Sequence, residues 1–363
     1  MTNYSMTPAL PDYAVSPGDF IQEWLEENDV NAAELARRLD VTPKHVSELL
    51  SGKAPLSAAM SIALERVTGT PAKLWNRTEA IYREDLARLA ECEKLEAQYD
   101  SAKRFPLAYL RKSGYLVSAT KDKVGTVREL LQLLRIGDLG AFEATWVHAK
   151  VAYRKSKLNT DKSYEQATWL AVGEREAGID DLPDFDRDGL EHLIPRLRAL
   201  TAEPNPIESL KKVKELLNEV GVAFALTPPI PGFGVYGATR WIAEHPVVQL
   251  SVRGKYDDQL WFTLFHELGH VLLHGHKTLF VQGSEGKEED EADDFASTTL
   301  IPKEYAHRIP TRRNIAAVQE LADELGIAPS IVLGQAQRLT QDYGWGHTLK
   351  VKLEWRSASE KAA

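Results

Sequence analysis

Cysteine is almost absent from this 363-residue chain, where Cys92 stands alone. A lone thiol allows no internal disulfide and excludes a zinc finger built from cysteines, and it agrees with a reducing compartment. No apolar run approaches the length needed to span a bilayer, and Met1 to Phe20 lacks the basic and apolar blocks of a secretory signal. The expectation is a cytoplasmic protein with no membrane partner. Positive charge is also short. With a formal net charge of −9, whole-chain composition gives no indication of nucleic-acid binding, so any such surface must be local. A glycine-rich phosphate loop, a prominent Ser-His-Asp arrangement and an internal repeat are missing as well.

What the chain does have is His266-Glu267-Leu268-Gly269-His270. A helix turns every 3.6 residues, so histidines at i and i+4 share one face and can share one metal ion, with Glu267 beside them as general base. Phe262, Phe265, Leu268 and Leu272 recur at helical spacing, which predicts a largely buried helix, with Asp257 or Asp258 capping its start and Gly275 ending it.

Catalytic zinc takes three protein ligands and keeps one position open, so a third donor is required. His276 follows His266 by ten residues, as in metzincins, but Leu273 stands where that pattern needs glycine. The other source is the acidic run from Glu288 to Asp294. Ala292, Phe295, Ala296 and Leu300 predict that it lies on a packed helix. Glu291 is preferred over His276, with Glu289 behind both. His274, Tyr305, His307 and Arg312 are candidates for stabilising an oxyanion.

The stretch from Trp261 to His274, followed by Glu291-Ala292-Asp293-Asp294-Phe295-Ala296 and Leu300-Ile301-Pro302, resembles the ImmA/IrrE metallopeptidases. The resemblance reaches back through the apparent hairpin Val235 to Trp241 and Val247 to Ser251, covering roughly residues 206 to 310. It implies zinc held by His266, His270 and a glutamate that maps best onto Glu291. This chain has Asp293 where that family usually has asparagine. The hairpin around Gly237 offers an edge on which an extended substrate can add as a strand.

A second pattern lies near the amino terminus. Ala32 to Leu39 predicts one short helix, Asp40-Val41 a tight turn, and Thr42 to Leu50 a second helix with Thr42 as its N-cap and Pro43 at its first position. Leu35, Ala36, Leu39, Val41, Val46, Leu49 and Leu50 lock the pair into a helix-turn-helix. In that arrangement Lys44, His45, Ser47 and Glu48 reach base edges, while Arg38, Thr42 and Lys53 serve phosphates. Between Asp19 and Asp85 eight Lys and Arg face twelve Asp and Glu, so the basic footprint is weak. Two half-sites read by a homodimer compensate for that weakness. Residues from about 16 to 90, including Leu64 to Ala72, resemble HigA-type antitoxins of the XRE group. That resemblance implies operator DNA and a cognate toxin as partners.

The expected fold is mainly α with a small β-sheet (α+β): an all-α helix-turn-helix domain, a helical middle and a zincin-like α+β domain. The boundaries read as a flexible arm over 1–17, the helix-turn-helix over 18–85, a connecting helix over 86–105, a helical middle over 106–203, the metallopeptidase over 204–340, and a strand and tail over 341–363. In the middle, Val124 to Leu134, Ala141 to Tyr153, Ser163 to Ala177 and Gly189 to Leu200 predict helices. Leu349, Val351, Leu353 and Trp355 predict a late strand. Two functions compete: an antitoxin-like regulator carrying a zinc protease that cuts a regulatory protein, and a non-proteolytic repressor whose peptidase-like domain senses a signal or docks the toxin.

Overall fold

A computed structural model describes residues 13–147, 162–254, 256–274, 280–281 and 286–355. The chain divides into two compact units, Met1–Gln98 and Tyr99–Ala363. The described part of the first unit is helical, with α1 Pro17–Glu27, α2 Ala32–Leu39, α3 Pro43–Leu50, α4 Ala58–Thr68 and α5 Ala72–Ala97. Ser16 and Asp19 cap one another's backbone N–H at the head of α1. Ser16 and Pro17, read as part of the arm, therefore belong to the first helix. α2 ends at Asp40 in the left-handed region (φ 54°), and Thr42 Oγ1 accepts from His45 N to start α3. Ile21, Leu25, Leu35, Leu39, Val46, Leu49, Leu64 and Trp75 form the core of this unit. Gly18 lets α1 close on the end of α3, since a Cβ there would stand 2.3 Å from the Leu50 carbonyl oxygen. α5 runs unbroken past the expected boundary at residue 85. It contains neither proline nor glycine, and i,i+4 pairs such as Arg83–Glu79 at 2.7 Å line it.

The second unit begins with the short α6 Tyr99–Ala102 and α7 Leu107–Lys112, then α8 Lys123–Leu134, α9 Ser163–Ala177, α10 Arg187–Ala199 and α11 Pro206–Glu219. A four-stranded sheet follows, built from β1 Ala223–Thr227, β2 Gly237–Ile242, β3 His245–Ser251 and β4 Phe280–Val281 in the order β1-β3-β2-β4. β1 is parallel to β3, and the remaining pairs are antiparallel. α12 Asp257–Leu273, α13 Lys287–Leu300, α14 Ile315–Leu325 and α15 Pro329–Thr340 complete the unit. No helix among the described residues is long and apolar enough to cross a membrane.

Period-two alternation sorts the sheet residues between two helical layers. Ala223, Ala225 and Val247 cluster with Ala177 of α9 on one face, while Phe224, Val248 and Leu250 join the core around α12 on the other. Gln249 reaches into α9, where its Nε2 donates to the Trp169 carbonyl at 2.7 Å. Gly173 makes room for it, since a Cβ at that position would lie 2.0 Å from the Gln249 amide carbon. The helical middle is thus one body with the sheet, and α9 forms a layer of it.

Two expected elements take other forms. The helix over Ala141 to Tyr153 shows a 3-10 turn at Leu139–Ala141 and a π turn at Glu143–Val147, and its remainder lies outside the described residues. The late strand is reduced to one bridge, Tyr256 with Lys352. Its residues bind a helix start instead: Val351 N donates to Asp257 Oδ1 at 2.8 Å and Lys350 Nζ to Asp258 Oδ2 at 2.6 Å.

Candidate metal centre and helix-turn-helix

α12 carries the His-Glu-Leu-Gly-His motif through the middle of the second unit and is buried on nearly every side. Tyr256 precedes its first turn, with Asp257 and Asp258 inside that turn rather than capping it, and His274 closes the far end. Gly275, expected there, lies outside the described residues, as does His276. Gly269 brings α13 close, because its missing Cβ would stand 3.2 Å from Ala292 Cα and 3.1 Å from the Phe295 ring.

That approach presents a carboxylate to the two histidines, and it comes from Glu289. His266 Nε2 lies 3.1 Å from His270 Nε2 and 3.3 Å from Glu289 Oε2, and His270 Nε2 lies 3.5 Å from Glu289 Oε1. Their ligand atoms all fall within 4.8 Å of one another. Glu291, the residue preferred from sequence, points away. Its carboxylate is 3.2 Å from His274 Nε2 and 3.0 Å from Lys287 Nζ. The reason is helix phase: at about 100° per residue, Glu289 falls with Asp293, Ala296 and Leu300 on the packed face, and Glu291 about 160° away from it. Glu289 is 13% exposed and Glu291 41%.

The same helix holds the histidine rings from behind. His266 Nδ1 sits 2.8 Å from Asp293 Oδ1, whose other oxygen accepts from Arg338 Nη2 at 3.2 Å. Arg338 in turn lies over the Phe262 ring at 5.6 Å. His270 Nδ1 is 3.0 Å from His274 Nδ1, so His274, an oxyanion candidate by sequence, backs His270 together with Glu291. Tyr305, another such candidate, packs on the core with the Arg308 guanidinium 5.6 Å over its ring.

Electrostatics single out this cluster. Burial, with His266 and His274 adding to it, pushes His270 down to about 2. Burial acts downward on His266 too, but hydrogen bonds to Asp293 and Glu289 carry it up to about 10. Burial works to raise Asp293, yet His266 and Arg338 hold it below the usual carboxylate range. One proton on His266 cannot serve all the atoms that converge here, and Glu289 Oε1 is buried with no hydrogen-bond partner. Two imidazole nitrogens and a carboxylate fit a divalent cation, which satisfies all of them together.

Glu267 lies fully buried beside the cluster, and burial pushes its carboxyl up to about 7. β2 positions it. Gly237 and Thr239 alternate onto the α12 face, and Thr239 Oγ1 donates to Glu267 Oε2 at 2.7 Å. Glu267 Oε1 has no partner, and a Cβ on Gly237 would stand 2.5 Å from it. Sequence reasoning did not single out Thr239 or Arg338 as parts of the site, and it marked Asp293 only as the position where the resembled family usually has asparagine. For Asp293 a signal existed, since it follows Glu289 by four residues just as His270 follows His266. The expected open edge of β2 is partly taken: Ala238 pairs with Val281 and Thr239 with Phe280 of β4.

In the first unit, α2 and α3 meet across Asp40 and Val41 as a helix-turn-helix. Thr42, Lys44, Ser47, Lys53 and Arg38 are exposed, whereas His45 and Glu48 are half-buried. Some of these side chains already have local partners. Arg38 Nε donates to Glu34 at 2.9 Å, Lys44 stands 3.7 Å from Glu48, and Thr42 is used as the cap of α3.

Comparison with known proteins gives two domain matches. Residues 226–334 match the IrrE N-terminal-like domain of the Peptidase_M78 family. Residues 21–75 match a helix-turn-helix domain. The HTH-type transcriptional regulator YddM of Escherichia coli (strain K12) is 40% identical over 78 residues, covering 22% of this chain and 78% of that protein. A solved structure of the Pseudomonas aeruginosa antitoxin HigA with the higBA promoter is 30% identical, covering 24% of this chain and 95% of that one, with a TM-score of 0.22.

Proposed function

Because this chain belongs to the HTH-type transcriptional regulators and carries an IrrE N-terminal-like domain, we propose that it is an antitoxin-like regulator with a working zinc endopeptidase centre. The observation that carries this reading is Glu267: fully buried, tied at Oε2 by Thr239 and unpartnered at Oε1, beside a cluster of three donors. His266, His270 and Glu289 would hold zinc, and a zinc ion supplies the Lewis acidity that activates water and polarises a peptide carbonyl.

The protein's own groups do the rest. Oε1 of Glu267 takes the proton of the attacking water, and its raised pKa lets it return that proton to the leaving amine near neutral pH. Thr239 keeps the carboxylate from rotating, and Gly237 leaves Oε1 the space it needs. Asp293 and His274 hold the two imidazoles so that their Nε2 atoms converge with Glu289, where they would hold a cation.

On the first unit, α3 enters the major groove of operator DNA, with Lys44, His45, Ser47 and Glu48 toward bases and Arg38, Thr42 and Lys53 toward phosphates. The chain acts as a homodimer on paired half-sites, and its resemblance to HigA-type antitoxins supports a cognate toxin as partner. A specific observation favours the non-proteolytic alternative: β4 occupies β2 at Ala238 and Thr239, where an extended substrate would pair.

The decisive experiment incubates zinc-loaded wild type and Glu267→Gln with the partner toxin and with the protein itself. Cleavage by wild type alone is expected, and cleavage by both or by neither removes the catalytic reading. A gel shift on the protein's own upstream DNA with Lys44→Ala and Ser47→Ala tests α3, and unchanged binding means another surface reads the operator.

A further inference from the structure

Next to the metal centre, α12, α13 and α15 border a cavity of about 340 Å³. Thr263 and Asp293 belong to its wall, which brings it within one helical turn of Glu267 and against the carboxylate that holds His266. Tyr236 belongs to it too. The next residue is Gly237, where a Cβ would stand 2.5 Å from Glu267 Oε1 and 2.6 Å from the Thr263 methyl group. The cavity therefore lies on the side of α12 where Glu267 and β2 meet.

More of its lining surface is apolar than polar. Phe262 and Tyr236 are half-buried and Tyr343 is exposed, so all three keep accessible surface for a ligand to meet. Leu300 and Ile331 lie buried in the same wall.

The charged side chains of the lining are matched in pairs. Lys350 Nζ is 2.6 Å from Asp258 Oδ2, and Arg338 Nη2 is 3.2 Å from Asp293 Oδ2. The first pair is nearly sealed, each side chain only 8% exposed, and the Arg338 guanidinium also lies 5.6 Å over the Phe262 ring. A charged side chain entering the cavity would give up hydration and find no unmatched counter-ion. A bulky apolar side chain has no such cost, and it gains by leaving water for the rings.

We propose that this cavity receives a bulky apolar side chain, leucine or phenylalanine, beside the bond to be cut. Its role as a substrate pocket rests on the peptidase reading. Its binding chemistry is tested without turnover.

The probes are acetyl-Ala-Xaa-Ala-amide tripeptides with Xaa as Leu, Phe, Ala, Glu or Lys, and free L-phenylalanine. They are titrated calorimetrically into the full-length, zinc-loaded Glu267→Gln protein. The Leu and Phe tripeptides are expected to bind at least about tenfold more tightly than the others. Phe262→Ala, added to that protein, takes away a ring and should bring Leu and Phe within about threefold of Ala. Gln259→Glu keeps the side chain's shape at an exposed site in the first turn of α12, where an acidic group suits the helix. It adds a carboxylate to the wall and should strengthen Lys binding about threefold while weakening Glu. This second variant keeps the test decisive should Phe262→Ala fail to fold.

Ala bound as tightly as Leu and Phe, tighter binding of Glu or Lys, a response to neither variant, or no binding overturns the proposal. Free phenylalanine binding as tightly as its tripeptide overturns it in favour of a metabolite sensor. Leu and Phe preference without cleavage by wild type counts against the peptidase reading, and cleavage without that preference counts against the pocket.

Discussion

Asp293 Oδ1 lies 2.8 Å from His266 Nδ1, which leaves Nε2 of that ring turned toward His270 and Glu289. Arg338 anchors the other oxygen at 3.2 Å, which keeps Asp293 charged and in place. Asp293→Ala should lower zinc affinity by about 10- to 100-fold. Asp293→Asn keeps an acceptor oxygen for the same N–H and should lose much less. Chelator competition measures both, and equal losses would show that charge rather than ring orientation matters.

Glu289 and Glu291 make opposite predictions two residues apart. Glu289→Ala removes a donor from the cluster and should leave the purified protein with well under one zinc per chain. Glu291→Ala removes only the group behind His274 and should retain full zinc by elemental analysis. Loss of zinc in Glu291→Ala with retention in Glu289→Ala would restore the ligand read from sequence.

Zinc binding should depend strongly on pH. A ligating imidazole must be neutral, and without a cation His266 holds its proton up to about 10. At any lower pH the metal must displace that proton, so apparent affinity should rise by about tenfold per pH unit from neutrality toward 10. Calorimetry in buffers of different ionisation heat should count about one proton released per zinc at pH 8. A flat profile there would place the proton elsewhere.

Gly237→Ala tests the base without touching the metal. The new Cβ would stand 2.5 Å from Glu267 Oε1 and must displace it. A shift of that kind should cost about 100-fold in kcat/KM. Zinc content should remain that of wild type, and a variant that loses its zinc would assign Gly237 to the architecture of the whole centre.

Much of this was legible in the sequence for physical reasons. The caps at Thr42 and Pro43 and the apolar positions Leu35, Leu39, Val46 and Leu49 are local signals, and local signals fix α2 and α3. His266 and His270 were legible because both lie on one helix, so their separation follows from helical pitch alone. Glu289 depends on how a second helix is rotated. Reading Glu291 as adjacent to Ala292 ignored that rotation, although Ala292, Ala296 and Leu300 already define the packed face. Thr239 and Gly237 reach the site from a strand, and no spacing in the sequence links residue 239 to residue 267. The late strand misled because alternation reports two-sidedness and not the partner: Val351 alternates correctly but bonds to Asp257.

Gly269 is the spacer of the histidine motif, and its consequence extends beyond α12. With the Phe295 ring 3.1 Å and Ala292 Cα 3.2 Å from where a side chain would begin, α13 packs directly against the bare Cα of Gly269. α12 carries the two imidazoles and α13 the Glu289 carboxylate, so the distance between these donors depends on a residue outside the cluster. A side chain at position 269 would part the two helices and carry the carboxylate away from the imidazoles.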